Sequence, residues 1–508
     1  MKAFLMFKDK DFDPQQKLPP GEPALTQDLE LNTLFNAMAL GNEFLFEVVK
    51  KAVFLSLSDL DTIIYRQNII KDCLKNPSII RDIFTLAGEA IECRKKTFWG
   101  ISSYSPSSIL YNSVGLLQMF VGKLKELRNI ADEHSDKFDS DGFTAFFSML
   151  KKELDDEYFT SIQNHLRELQ FRSGVLISAE LGKGNEGTNY ILRKTHDKNR
   201  NWMKRVFTQK SPTYTFRVDP HDIGSGQALS NLKDQGINLV ANAAAQSAEH
   251  IDSFFNMLRI ELAFYVGCLN LHEQLSQIGE PVSFPLPAAL NKRKHSFQGL
   301  YDICLSLTMK QKIVGNDVNA DNKNLVIITG ANQGGKTTFL RSIGLAQLMM
   351  QCGSFTPAES FCANVSNGLF THFKREEDVT MKSGKLDEEL NRMSQIVDDL
   401  TSNSMVLFNE SFAATNEREG SEIARQITNA LLEKHIKLFF VTFLYEFAHG
   451  FYDRRTDNSI FLRAERQADG TRNYRLIKGE PMQTSYGEDL YNKIFGVEKA
   501  AFKSAVVP

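Results

Sequence analysis

The period of the apolar side chains changes several times along this chain, and each change marks a predicted boundary. From about Gln27 to Leu169 the spacing is three and four. Leu31, Leu34, Phe35 and Met38 form one stripe, Phe44, Phe46, Val49 and Ala52 the next, and Ile63, Ile64, Ile69, Ile70, Cys73 and Leu74 another. Such spacing puts apolar groups on one face of a helix, so residues 27–170 are predicted to be helical throughout. Between Phe171 and Val218 the pattern shortens to β-branched and aromatic runs: Val175–Ser178, Asn189–Leu192 and Thr213–Val218, the first two separated by the glycine-rich stretch 182–187. These predict three strands in a small β insertion at 171–230. Helical spacing returns over 231–290 with Phe254, Leu258, Leu262 and Val266. Pro281, Pro285 and Pro287 then mark a boundary near residue 290. Residues 291–497 alternate strands and helices as a βαβ domain does. Residues 1–26, with Pro14, Pro19, Pro20 and Pro23, read as an N-terminal arm, and 498–508 as a tail. The fold class expected is multidomain, α plus α/β.

Composition narrows the class without naming an activity. A chain of 508 residues exceeds one hydrophobic core, and its 42% hydrophobic and 24% charged content suits a soluble globular protein. No run approaches 18 uninterrupted apolar residues, so no membrane span is expected. The start Met1–Phe7 meets charge at once in Lys8–Asp11 and lacks the length of a secretory signal. Six cysteines show no paired spacing that suggests a metal or disulfide framework, and a reducing cytoplasm is the expected setting. A net charge of −3 argues against indiscriminate coating of nucleic acid, although local basic surface can still grip phosphates.

The chemistry centres on Gly330-Ala331-Asn332-Gln333-Gly334-Gly335-Lys336-Thr337. This segment follows the buried-strand run Leu325–Thr329 and precedes a helical pattern through Phe339, Leu340, Ile343, Ala346 and Met350. Glycines in that setting let successive N–H groups point at phosphate oxygens. Lys336 then reaches the terminal phosphates, and the Thr337 hydroxyl can hold Mg²⁺. Residues 330–337, with Thr338, are the predicted contacts to a nucleotide, with Mg²⁺ at Thr337.

A second strand, Ser404–Phe408, delivers Asn409 and Glu410, the latter 74 positions after Lys336. Strands of a parallel sheet end together at the ligand edge. Glu410 is therefore predicted to accept a proton from an attacking water, acting with Lys336 in catalysis. Asn409 stands where an Asp usually helps hold Mg²⁺ through water. Its amide oxygen accepts hydrogen bonds but brings no charge, so weaker metal holding and slower turnover are expected.

The run 327–341, its Asn332 included, together with Gly353-Ser354-Phe355-Thr356-Pro357-Ala358, closely resembles the ATPase domain of the MutS family of DNA mismatch-repair proteins. Asn409–Gly420 lines up with that family's second-carboxylate segment, matching at Glu410, Thr415 and Gly420. The resemblance is carried by residues 300 to about 450 and extends more loosely over the helical N-terminal half. It implies an ABC-type P-loop ATPase domain that dimerises around nucleotide, with a signature segment completing the partner's site. Ser383 and Gly384 are the candidates for that role. It also implies core and lever helices at 27–170 and 231–290, and a DNA-gripping clamp at the β insertion.

There a basic cluster with interleaved aromatics, Arg193, Lys194, Arg200, Lys204 and Arg205, is the candidate set of backbone contacts to DNA. A solvated hairpin is the plain alternative. Thr442-Phe443 departs from the family's usual Thr-His pair, which removes the histidine that would sense a γ-phosphate. The helices begin near residue 27, which leaves no counterpart for the mismatch-reading and connector domains. The reading expected is thus an ATP-dependent protein, not an orthodox mismatch sensor, that binds duplex, branched or mismatched DNA in repair or recombination. The alternative is an ATP-gated dimeric scaffold with little hydrolysis. A coiled-coil ABC protein of chromosome maintenance is disfavoured, since 27–275 sustains no heptads.

Overall fold

Strands that are apolar at nearly every position need both faces covered, and this chain builds such a sheet around Leu325–Gly330. The computed structural model describes residues 1–98, 105–172, 174–194, 214–375, 384–454, 457–467 and 471–482. In chain order these form helices α1 (Glu22–Asp28), α2 (Leu31–Ala39), α3 (Glu43–Phe54), α4 (Leu60–Lys75), α5 (Pro77–Phe98), α6 (Pro106–His134), α7 (Asp141–Glu153) and α8 (Asp156–Glu168). Strands β1 (Leu176–Leu181) and β2 (Gly187–Arg193) follow, then α9 (Ile223–Ile278), β3 (Leu286–Ala288), β4 (His295–Leu300), α10 (Ile303–Met309), β5 (Asn316–Asn319), β6 (Leu325–Gly330) and α11 (Lys336–Gln351). The chain continues through β7 (Ser360–Asn364), β8 (Leu369–Phe373), α12 (Lys385–Asp399), β9 (Met405–Asn409), α13 (Glu417–Glu433), β10 (Lys437–Val441), α14 (Tyr445–Asp453), β11 (Ser459–Arg466) and β12 (Arg472–Lys478).

The contacts divide the chain into two units. One comprises Met1–Ala3, Ser78–Asp139 and Phe143–Arg259; the other comprises Phe4–Pro77, Ser140–Gly142 and Ile260–Pro508. The division differs from that expected from sequence, because the first four helices cluster with the C-terminal unit and the break falls inside α9. Periodicity alone reports that a helix has a buried face, not which partner buries it.

The first unit is helical, with a hairpin. Leu117, Phe120, Leu124 and Leu127 of α6 are buried, and Phe120 meets Phe255 of α9 at 6.0 Å between ring centres. Arg94 pairs with Asp252, and Ser107 N–H donates to Asp234 Oδ1 at 3.1 Å. Strands β1 and β2 pair antiparallel with a register shift between Ser178 and Glu180. The third predicted strand is corrected: residues 214–218 carry no strand, and Tyr214 and Phe216 are exposed. Their β-branched and aromatic pattern has no described neighbour to pair with, and β propensity is realised only through pairing. Within α9 an 18-residue stretch reaches a mean hydropathy of 1.2, which by composition could cross a membrane, but 78% of it is buried in the protein. Core packing accounts for its apolarity.

The second unit carries two sheets. Six strands run in the order β12-β11-β6-β10-β9-β8, with β11, β6, β10, β9 and β8 parallel and β12 antiparallel at one edge. A four-stranded mixed sheet runs β3-β7-β4-β5. On one face of the large sheet Ile327, Val406, Phe408, Leu438 and Phe440 pack with Phe412, Ala424, Leu431 and Phe447. Towards the other face lies α11, whose Gly344 sits so close to Leu407 and Leu29 that an added Cβ would come within 2.8 and 2.9 Å of their methyl groups.

The N-terminal arm is docked rather than free. Leu5, Met6 and Phe12 are buried, and Glu261 accepts the N–H groups of Leu5 at 2.6 Å and Phe12 at 3.0 Å.

Candidate functional site

Parallel pairing sets which residues meet at the carboxyl edge of the large sheet. Val441 is level with Asn409 and with Ile328, Phe373 with Asn409, and Ala464 with Gly330. Each strand ends within a residue or two of the same line. The turns beyond are tied together: Glu410 N–H donates to Val441 O at 2.9 Å and Thr442 N–H to Ile328 O at 3.0 Å.

The loop after β6 requires its glycines. Gly330 and Gly335 have φ of 108° and 82°, a region L side chains rarely enter. At Gly334 an added Cβ would come within 2.6 Å of the Ala464 methyl and 2.9 Å of Ala331 O. The first turn of α11 then opens onto the loop, with no side chain capping it at Gly335. Such an uncapped N-terminus presents N–H groups to an anion. Arg472 Nε donates to Asn332 O at 3.4 Å, which ties the loop to the β11–β12 hairpin.

Lys336 is 5% exposed. Its Nζ donates to Gly330 O at 3.1 Å and Ala331 O at 2.9 Å and lies 4.4 Å from the centre of the Phe443 ring. It makes no ion pair among the described residues. Burial pushes its ammonium down to about 8, opposed by the nearby Glu410 carboxylate and reinforced by Arg472. A buried cation without a counter-ion is costly, and a phosphate would supply the missing charge. Thr337 Oγ1 donates to Asn409 Oδ1 at 3.0 Å. That contact brings together the two residues expected to hold Mg²⁺, and both present oxygen, the donor type Mg²⁺ prefers.

Glu410 follows β9 with φ 53° and lines, with Lys336, Thr337, Phe443 and Tyr474, a cleft of about 510 Å³. Tyr474 also has positive φ, 61°, and is held by Asn316, which donates from Nδ2 to Tyr474 O at 3.3 Å and accepts the Leu476 N–H at 2.7 Å. A larger cleft, about 990 Å³, lies in the first unit beside Leu110, Met119 and Phe171.

Gly384 stands just before α12, at its N-cap position; Ser383 lies outside the described residues. Of the candidate DNA contacts, Arg193 donates to Ser178 Oγ at 2.8 Å and Lys194 pairs with Glu168 at 2.7 Å. Arg200, Lys204 and Arg205 lie outside the described residues. The sequence reading missed His372, Glu389 and Ser411, which surround the turn after Glu410. A histidine in an apolar strand was the one visible signal.

Fold and site together define an α/β domain with a glycine-rich loop at the carboxyl edge of its parallel sheet. Residues 326–505 match the family model described as MutS domain V, and residues 58–278 that described as the MutS2 N-terminal domain. Between them they cover most of the chain, which belongs to the MutS family. It is 24% identical over 390 residues to the DNA mismatch repair protein MutS of Prochlorococcus marinus (strain MIT 9301), covering 75% of this chain and 40% of that protein. It is 37% identical over 133 residues to the DNA mismatch repair protein MutS of Thermotoga maritima, 26% of this chain and 17% of the relative. With the human MutS protein homolog 4 it shares 28% identity over 199 residues, 37% of this chain and 21% of the relative. The chain spans less than half the length of these curated relatives.

Proposed function

We propose that this chain binds ATP with Mg²⁺ in the cleft beside Lys336, hydrolyses it slowly, and uses that cycle to control binding of DNA structures, as a homodimer acting in repair or recombination. The observation that carries the reading is the buried Lys336 ammonium, held by carbonyls of its own loop and making no ion pair among the described residues, where the glycine loop, Thr337, Asn409 and Glu410 converge. The loop N–H groups and Lys336 bind the phosphates. Thr337 and Asn409, the latter through water, would hold Mg²⁺, which when bound would supply positive charge against the phosphate oxygens. Glu410 accepts the proton of the attacking water as its oxygen bonds to the γ-phosphorus and the bond to the β-phosphate oxygen breaks, leaving ADP and phosphate.

A second reading, an ATP-gated scaffold acting through protein partners, draws support from Asn409, which brings no charge to the metal, and from Phe443, whose ring covers Lys336. Turnover measured with and without duplex, branched and single-stranded DNA separates the two. ATP turnover abolished by Glu410→Gln supports the enzyme. Absence of turnover in wild type, or turnover indifferent to Glu410→Gln, overturns it in favour of the scaffold.

A further inference from the structure

The turn that carries Glu410 is strained. Glu410 and Phe412 both have left-handed backbone, φ 53° and 64°, a conformation that L side chains rarely adopt. Such a turn persists only where its surroundings fix it. Two groups do so, and both lead to α12. The Glu389 carboxylate, on α12 and buried, faces the Phe412 N–H, which favours its charged form. The imidazole of His372, on β8 and wholly buried, bridges Glu389 O at 3.0 Å from Nε2 and Ser411 Oγ at 2.7 Å from Nδ1. Its ring also stacks on Phe412, 5.2 Å between centres and 18° from parallel.

The hydrogen-bond roles follow from the proton count. Burial, helped by Arg392 and Arg375, pushes the imidazole down to about 4, so it is neutral at physiological pH and carries one proton. Glu389 O can only accept, which places that proton on Nε2 and leaves Nδ1 as an acceptor. Ser411 has a single hydroxyl proton and two acceptors in reach, Nδ1 and His372 O at 2.6 Å. A third tie joins the same elements, from Arg392 to Phe373 O at 3.0 Å. Gly420 closes the remaining side, since an added Cβ there would lie 2.4 Å from Phe412 O.

We propose that His372 and Glu389 are positioning residues that hold the Glu410–Phe412 turn from α12 and so set Glu410 in reach of the γ-phosphate side of the cleft. The assignment rests on the hydrolytic reading above. Neither residue lines the cleft, so the pair acts on the proton-accepting step and not on nucleotide capture. Losing either tie lets the turn relax toward right-handed backbone and withdraws the carboxylate.

The test is steady-state ATP turnover and nucleotide binding by the full chain for Glu389→Leu, Glu389→Gln and Ser411→Ala, with thermal unfolding to confirm folding. Glu389→Leu and Ser411→Ala are expected to lower kcat about ten- to a hundredfold, as a misplaced catalytic group does, with KM and ATP affinity within about twofold. Glu389→Gln, which keeps an acceptor for Phe412 N–H, restores most of the rate. In a Glu410→Gln background the same variants cause no further loss, whereas general loosening of the domain lowers the residual rate again. If Glu389→Leu does not fold, Ser411→Ala decides. Unchanged kcat in folded variants of an active wild type, or loss confined to KM, overturns the positioning role alone. A wild type without turnover overturns the hydrolytic reading and the role with it.

Discussion

The ammonium of Lys336 lies 4.4 Å from the centre of the Phe443 ring, so the residue that would meet a terminal phosphate already faces an aromatic surface. A desolvated cation–π contact is worth up to about 2 kcal/mol, and an arriving phosphate must compete with it. Phe443→Leu, which keeps the apolar bulk and removes the ring, is expected to tighten ATP binding about two- to tenfold. Calorimetric titration of the two proteins reads this directly, and equal or weaker binding by the variant excludes such competition.

Thr337 and Asn409 share a hydrogen bond at 3.0 Å at the position assigned to Mg²⁺. Asn409→Asp adds the charge that the amide lacks. The Mg²⁺ concentration giving half-maximal ATP binding should fall by about tenfold, the scale of a metal-supporting side chain. A magnesium titration at fixed ATP that shows no shift removes Asn409 from the metal site.

The lowered Lys336 ammonium makes binding sensitive to alkali. Free protein loses this proton above pH about 8, while bound phosphates favour the charged form. ATP binding should therefore take up close to one proton at pH 9 and none through this group at pH 7, with affinity falling as pH rises past 8. Titration in buffers of different ionisation enthalpy measures the uptake. A value near zero at pH 9 contradicts the assignment.

At the start of β10, away from the cleft, Lys437 is buried with no partner for Nζ among the described residues, and His295 beside it has neither ring nitrogen bonded to any of them. Burial pushes the Lys437 ammonium from 10.5 down to about 7, against the pull of Asp321. Between those values the unfolded chain binds the proton and the folded chain does not, so this group makes stability rise with pH across that window. Lys437→Met should stabilise the domain by about 2 kcal/mol at pH 7 and lose that part of the pH dependence. Denaturant unfolding of both proteins at pH 7 and 9 checks it, and a wild-type minus variant difference that stays constant counts against the neutral lysine.

The local elements around the candidate site were legible in the sequence. The glycine loop, the strand ending in Asn409 and Glu410, and the helix after Lys336 are each written in a few consecutive residues whose conformations they dictate. What stayed hidden depends on distant pairing. Glu261 holds the backbone of Leu5 and Phe12, from which it is separated by most of two domains' worth of sequence. Nothing near Leu5 announces that partner. The same holds for His372, whose meaning comes from Ser411 and Glu389, and for the first four helices, whose apolar stripes do not say which unit they join. The missing strand at Tyr214–Val218 is the opposite failure, a local preference without a partner to realise it.

The methyl group of Ala464 walls the glycine loop after β6, 2.6 Å from a Cβ placed on Gly334 and 3.3 Å from one on Gly330. The loop's fingerprint is therefore not contiguous. One of its letters sits on another strand, far downstream, where a scan for the glycine motif would never look. Enlarging Ala464 should exclude phosphate as surely as filling a glycine, and any change that loosens β11 rewrites the loop without touching it.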